Sequence, residues 1–168
     1  MWVGGTEDEL HTFERWLGAP LDRSKLEPLT VQMAEIAAAM TATDLLDAMD
    51  YLRRLGRTVL AFWSDHDVLV TPTLAQPALE IGALAPAEGE PPIQMLLNAG
   101  AFVPFTPVFN VTGQPAISLP LAQTDAGLPV GVQFVGAPAA EELLLSLAGQ
   151  VEQAQPWADR RPPVHVAA

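Results

Sequence analysis

A chain of 168 residues has room for about one domain with a core of its own. Twenty acidic residues against eight basic ones give a formal charge of -12, which argues against nucleic acid or an anionic membrane as partner. The absence of cysteine excludes disulfides, a thiolate nucleophile and cysteine-ligated zinc, and no run approaches the ~18 consecutive apolar residues that span a bilayer.

An apolar share of 49% beside only 17% charge leaves hydrophobic surface that something other than lipid must cover. The opening MWVGGTEDELHTF lacks a basic start followed by an apolar stretch. No ordinary secretory signal is read there, and a cytoplasmic location is the expectation provided Met1 is a natural start.

In chain order, Thr6 with Glu9 has capping-box spacing, and Leu10, Phe13 and Leu17 share a helical face, which predicts a helix from about Glu7 to Leu17 ended by Gly18. Pro20 and Asp22 to Lys25 read as a loop. Pro28 starts a second helix reaching about Met40, with alanines around Ile36 that suggest close packing. Thr41 with Asp44 is a second capping signature. It opens the longest predicted helix, about Ala42 to Ser64, whose stripe includes Leu45, Ala48, Met49, Leu52 and Leu55, with Asp50 and Arg54 able to pair on the opposite face.

A short apolar run, Val68 to Val70, follows as a strand and stops at Thr71-Pro72-Thr73. From Leu74 to Pro107 the chain is rich in Pro, Gly and Ala, with one short helix expected at Ile93 to Asn98. The clearest pattern is a β-hairpin with a structured loop in front, Asn110 to Gly136. One strand covers Ala116 to Leu121, the partner Val130 to Val135, and Thr124 to Gly127 turns between them. Gly131 on the partner strand marks a close approach by backbone or ligand. Ala140 to Ala154 is a last helix with Leu143, Leu144, Leu147 and Val151 inward. Trp157 and the tail Arg160-Arg161-Pro162-Pro163 are expected to lie over the surface.

Asn110-x-Thr-Gly-x-Pro-Ala-x-Ser-x-Pro120, followed by Gly127-Leu-Pro-Val-Gly-Val-Gln133, resembles the C-terminal signature of the amidase signature family, serine hydrolases that cleave carboxamides. Asp67 to Thr73 resembles the family's buried strand that ends at a Thr-Pro turn near the active site. The resemblance implies an α/β fold, namely the C-terminal part of the amidase signature fold with a mixed β-sheet flanked by helices, and one such segment over 1–168. It implies amide hydrolysis by serine without a cofactor, and a small-molecule amide as substrate of the complete enzyme. Pro104 to Pro115 is most similar to the branch acting on cyclic and linear oligoamides and aryl amides.

The family's lysine and its Gly/Ser-rich stretch with two serines find no match here. Lys25, in Arg-Ser-Lys-Leu-Glu-Pro, reads as a solvated loop residue. Ser24, Ser64, Ser118 and Ser146 lack a glycine-rich setting, and Ser118 reads as a small strand residue facing packed structure. Ser64, Asp65, His66 and Asp67 have the residue types of a triad, but triad members are gathered by folding rather than by adjacency, so this is read as a helix-to-strand turn. His11 and His165 complete no metal set. No catalytic residue is therefore assigned within the chain.

Asn110, Thr112 and Gly113 would lie beside the cleft of such an enzyme, with Thr71, Pro72, Thr73 and Phe105 lining the same pocket. Their bland reading is that Asn and Thr satisfy loop backbone while Gly supplies an unusual torsion. Two functions stay open: a piece of a serine amidase that contributes sheet and pocket wall and is inactive alone, or a non-catalytic binding module reusing the half-fold. The partner is accordingly a missing N-terminal amidase half or a second copy.

Overall fold

The computed structural model describes residues 2–162 and 164. His165 lies outside them. The chain divides into two compact units, one of residues up to Arg57 with Ile81–Ala101, the other of Thr58–Glu80 with Phe102 onward.

In the first unit, α1 (Trp2–Leu17) packs against α2 (Pro28–Ala39), with Leu10 and Ala34 buried. The expected start at Glu7 is overturned. Thr6 is buried inside the helix rather than capping it, and a Cβ on Gly4 would stand 3.8 Å from Met40 Sδ, so the helix runs through two early glycines of low helix propensity with Met40 close to the first. Gly18, at φ 67°, ends α1 and donates its N–H to the Glu14 carbonyl. Of the expected stripe, Phe13 and Leu17 are exposed, and Phe13 meets Trp16 edge-on at 5.5 Å.

Charge pins the following loop to α1. Arg23 donates to Glu7 Oε1 at 2.6 Å, and the Leu21 N–H donates to Glu14 Oε1 at 3.0 Å. Asp22 caps a single 3-10 turn at Arg23–Lys25, where Lys25 pairs with Asp22 at 3.4 Å in solvent. Pro28 opens α2 at its first turn, as the sequence predicts. Ile36, by contrast, is exposed, so the close packing falls at Ala34.

The longest helix, α3 (Ala42–Leu60), begins with the expected reciprocal box: the Thr41 N–H donates to Asp44 Oδ2 at 2.8 Å and the Asp44 N–H to Thr41 Oγ1 at 3.1 Å. Its last predicted residues tighten into a 3-10 turn, Ala61–Ser64. Asp50 and Arg54 pair at 2.9 Å. None of its described residues is buried. A fourth helix, α4 (Gln94–Phe102), starts one residue later and runs further than expected; the Ile93 N–H before it donates to Gln32 Oε1 at 2.6 Å.

The second unit holds the sheet. Strands β1 (Val68–Pro72), β2 (Ala116–Gln123) and β3 (Pro129–Gly136) form an antiparallel sheet in the order β1-β3-β2. β1 is thus an edge strand with Val70 exposed, not the buried strand expected of it. The segment before β2, read as a loop, contains a short helix, α5 (Pro107–Thr112), which starts on Pro107 and stops where Gly113 turns left-handed at φ 75°. The predicted hairpin stands, with strands slightly longer than expected and Gly127 at φ 80° closing the turn onto the Thr124 carbonyl.

Alternation gives the sheet two unlike faces. Val68, Ile117, Leu119, Val132 and Phe134 occupy one, where α6 (Glu141–Ala154) lays Leu144, Leu147, Ala148 and Val151 over them. Gly136 lets α6 come close, since a Cβ there would stand 3.4 Å from Leu144 Cγ. Leu143, expected inward, is exposed. The opposite face carries Leu69, Ala116 and the buried Val135 at one end and a polar row, Thr71, Gln133 and Ser118, beside them.

Candidate functional site

The polar row is centred on β3. Gln133 is flanked in register by Thr71 of β1 on one side and Ser118 of β2 on the other. Its Nε2 donates to Thr71 Oγ1 at 3.0 Å, and the residue is only 5% exposed. Two residues earlier, Gly131 leaves the gap that β3 needs here. Thr73 Oγ1 and Ser118 Oγ meet across it at 2.6 Å, and a Cβ on Gly131 would come within 2.7 Å of Ser118 Oγ and 2.8 Å of Thr73 Oγ1. The Thr73 N–H also donates to the Gly131 carbonyl at 3.0 Å, carrying the ladder past Pro72.

Beside this row of hydroxyls and amides lies an open cavity of about 400 Å3. Thr73, Ser118 and Gln133 form its sheet side, while Thr106, Phe109, Asn110 and Gln114 come from α5 and its flanks. Phe109 is a buried apolar floor. No lining residue carries a charge at neutral pH. The site can orient a neutral polar ligand by hydrogen bonds, but it offers no base to take a proton from a nucleophile.

Thr112 Oγ1 sits 3.1 Å from the Val108 carbonyl oxygen and within reach of Gln114 Oε1. One hydroxyl proton serves one acceptor at a time, and Gln114 Nε2 is then buried without a partner among the described residues. Turning the carboxamide end for end resolves both: the nitrogen donates to Thr112 Oγ1, which donates to Val108, and no buried donor is orphaned.

Of the residues the sequence pointed to, Thr73 and Asn110 line the cavity. Thr71 is adjacent through Gln133, and its hydroxyl also donates to the Pro72 carbonyl at 3.0 Å, while Pro72 itself is exposed. Thr112 and Gly113 shape α5 and its exit rather than the cavity surface, and Phe105 is half-buried away from it. Ser118, Gln133 and Gln114 were missed as cavity residues. Strand alternation already places Gln133 on the face of Gly131, and Ser118 follows once the register is known; Gln114 carries no such signal.

The remaining candidate nucleophiles are engaged in local bonds. Ser64 Oγ donates to the Ala61 carbonyl at 2.8 Å, and Ser24 Oγ to Asp22 Oδ1 at 2.6 Å. Ser146 Oγ accepts from Gln150 Nε2 at 3.5 Å. His66 stacks on Phe62 at 4.1 Å, with Nδ1 3.1 Å from the Phe62 carbonyl oxygen, so it is held to its own turn and faces no serine.

Residues 3–145 match the family model described as Amidase. The chain belongs to the amidase signature family. It is 43% identical over 141 residues to the putative amidase AmiC of Mycobacterium leprae, an alignment covering 84% of this chain and 29% of the relative. It is 38% identical over 154 residues to the 6-aminohexanoate-cyclic-dimer hydrolase of Paenarthrobacter ureafaciens, covering 87% of this chain and 31% of the relative. A solved structure of 6-aminohexanoate cyclic dimer hydrolase complexed with substrate superposes with a TM-score of 0.88 at 35% identity, over 96% of this chain and 34% of that one. A bacterial aryl acylamidase shares the fold at a TM-score of 0.71. The chain therefore spans about a third of the length of these amidases, as a mixed α/β piece of the amidase signature fold. Among the described residues, no helix is long and apolar enough to cross a membrane.

Proposed function

We propose that the chain is the C-terminal part of a serine amidase that hydrolyses a carboxamide C–N bond to a carboxylate plus an amine or ammonia. It contributes sheet and substrate-pocket wall and is inactive alone. The observation that carries this reading is the pairing of a family match over most of the chain with a cavity that holds only neutral hydrogen-bonding groups. Amide hydrolysis needs an activated nucleophile and an oxyanion hole; for a base, Ser24 and Ser64 meet only an exposed carboxylate one or two residues away, and Ser118 meets the Thr73 hydroxyl. In the complete enzyme those groups come from the remainder of the fold. Thr73 and Asn110 form the wall facing them, Thr71 and Pro72 end the strand that presents it, and Phe105, Thr112 and Gly113 hold its loop.

The test has two arms. Incubated with a serine-reactive fluorophosphonate and with p-nitroanilides, the purified chain is expected to give no adduct and no p-nitroaniline. Spliced in place of the matching third of 6-aminohexanoate-cyclic-dimer hydrolase, it is expected to yield a chimaera that takes one adduct and cleaves amides. A stoichiometric adduct with turnover in the isolated chain, or a folded chimaera that takes none, overturns the reading.

A further inference from the structure

The tail after α6 is fastened to the sheet by two hydrogen bonds that a β-bulge makes available. Register on β2 shifts between Leu119 and Ala122, which frees the carbonyls of Pro120 and Leu121 from the ladder with β3. Gln155 Nε2 donates to the Leu121 carbonyl at 2.6 Å, and Arg160 Nη1 donates to the Pro120 carbonyl at 3.0 Å. Trp157 packs on the Leu119, Phe134 and Leu144 cluster, and the Arg160 N–H donates to its carbonyl at 2.9 Å.

Between this tail and the β2–β3 turn lies a cavity of about 690 Å3. Pro120, Leu128, Pro129 and Trp157 give it apolar walls, and Arg160 and Arg161 are its charged residues. Among the described residues neither arginine is in an ion pair, although the chain carries a formal charge of -12. Two of the eight basic side chains thus line one cavity beside an indole, and no carboxylate of the described residues lines it.

We propose that this cavity binds a small carboxylic acid with an apolar body. The carboxylate sits on the guanidinium groups, whose planar forks match it, and the body lies against Trp157 and Leu128. Arg160 is preorganised for this, because its bond to Pro120 fixes the side chain while leaving other N–H groups to donate. The walls explain why the ligand has an apolar body, since a bare inorganic anion would leave them wet. This site lies on the tail side of the sheet and is independent of the amidase reading.

The probe is benzoate, titrated into the intact chain while intrinsic fluorescence is followed, with benzyl alcohol as the neutral counterpart. Saturable binding is expected with Kd on the order of 0.1 to 10 mM, the range open to so small a ligand. Arg161→Gln, an exposed change, is expected to weaken it about fivefold or more through loss of a charge-assisted pair. Trp157→Phe is expected to remove most of the fluorescence response of the four tryptophans while calorimetry still reads heat of binding. Benzyl alcohol binding as tightly as benzoate, wild-type affinity in Arg161→Gln, or no saturation at all overturns the proposal.

Discussion

The β2–β3 hairpin with α6 and the helix α3 both carry clear apolar patterns, yet only the first finds its cover within the chain. Leu119, Phe134 and Leu144 are buried to 8% exposure or less, and Val135 is sealed completely. On α3 the stripe is as regular, but Leu45 and Met49 stand 45% and 36% exposed. Periodicity announces that a face wants burial; it does not say that the partner lies in the same stretch of sequence. The α3 stripe stands open in a chain that spans about a third of the length of its relatives.

The sharpest way to test this contrast is to remove the same side-chain atoms from each region. Leu144→Ala is expected to cost about 2 to 5 kcal/mol, the usual toll of a buried leucine cavity, whereas Leu45→Ala is expected to stay within about 0.5 kcal/mol. Urea denaturation of the two variants measures both, and equal losses would mean that the stripe on α3 is covered. Next in size is Gly131→Ala, which puts a methyl within reach of two hydroxyls that now bond each other. A loss of about 1 to 3 kcal/mol is expected from overpacking, and it should spare the α1–α2 pair in hydrogen exchange.

The smallest effect is electrostatic and falls on the helical unit. Glu14 is held below its ordinary 4.5 by the Leu21 N–H and then by His11, and Asp22 below 3.8 by the Ser24 hydroxyl and N–H. The Thr41 hydroxyl and N–H hold Asp44 below 3.8 in the same way. A lowered folded pKa contributes stability that is complete above the ordinary value and lost as pH falls through the lowered one. Unfolding midpoints should therefore be flat above about pH 5 and decline gently in acid, with Asp44→Asn making the decline shallower. A rise in stability on acidification would reverse the sign and remove these bonds from the account.

Most of the architecture was legible because it is local. Pro28, the Thr41–Asp44 box, Gly18 and the Thr124 to Gly127 turn declare helix ends and a hairpin through chemistry confined to a few residues. The failures are places where distant packing decides. Nothing near Gly4 predicts that α1 will begin early, and nothing in Val68 to Val70 says that the strand lies at an edge. The candidate site was half legible: Thr73 and Asn110 stood in the recognisable motifs. Ser118 needed the register of the hairpin, the Gln133 bond to Thr71 needed a pairing between strands far apart in the chain, Gln114 carries no periodic signal, and α5 was too short to show a period.

The bulge in β2 also bears on how the molecule avoids its own kind. An outermost strand with open carbonyls and N–H groups is a template on which another chain can grow, and the hazard is greatest for apolar sequences such as Ala116 to Leu121. Here Pro120 has no N–H to offer, the register is broken beside it, and the two liberated oxygens are occupied by Gln155 and Arg160. The tail thus occupies, along this stretch of β2, the two acceptors that an added strand would use.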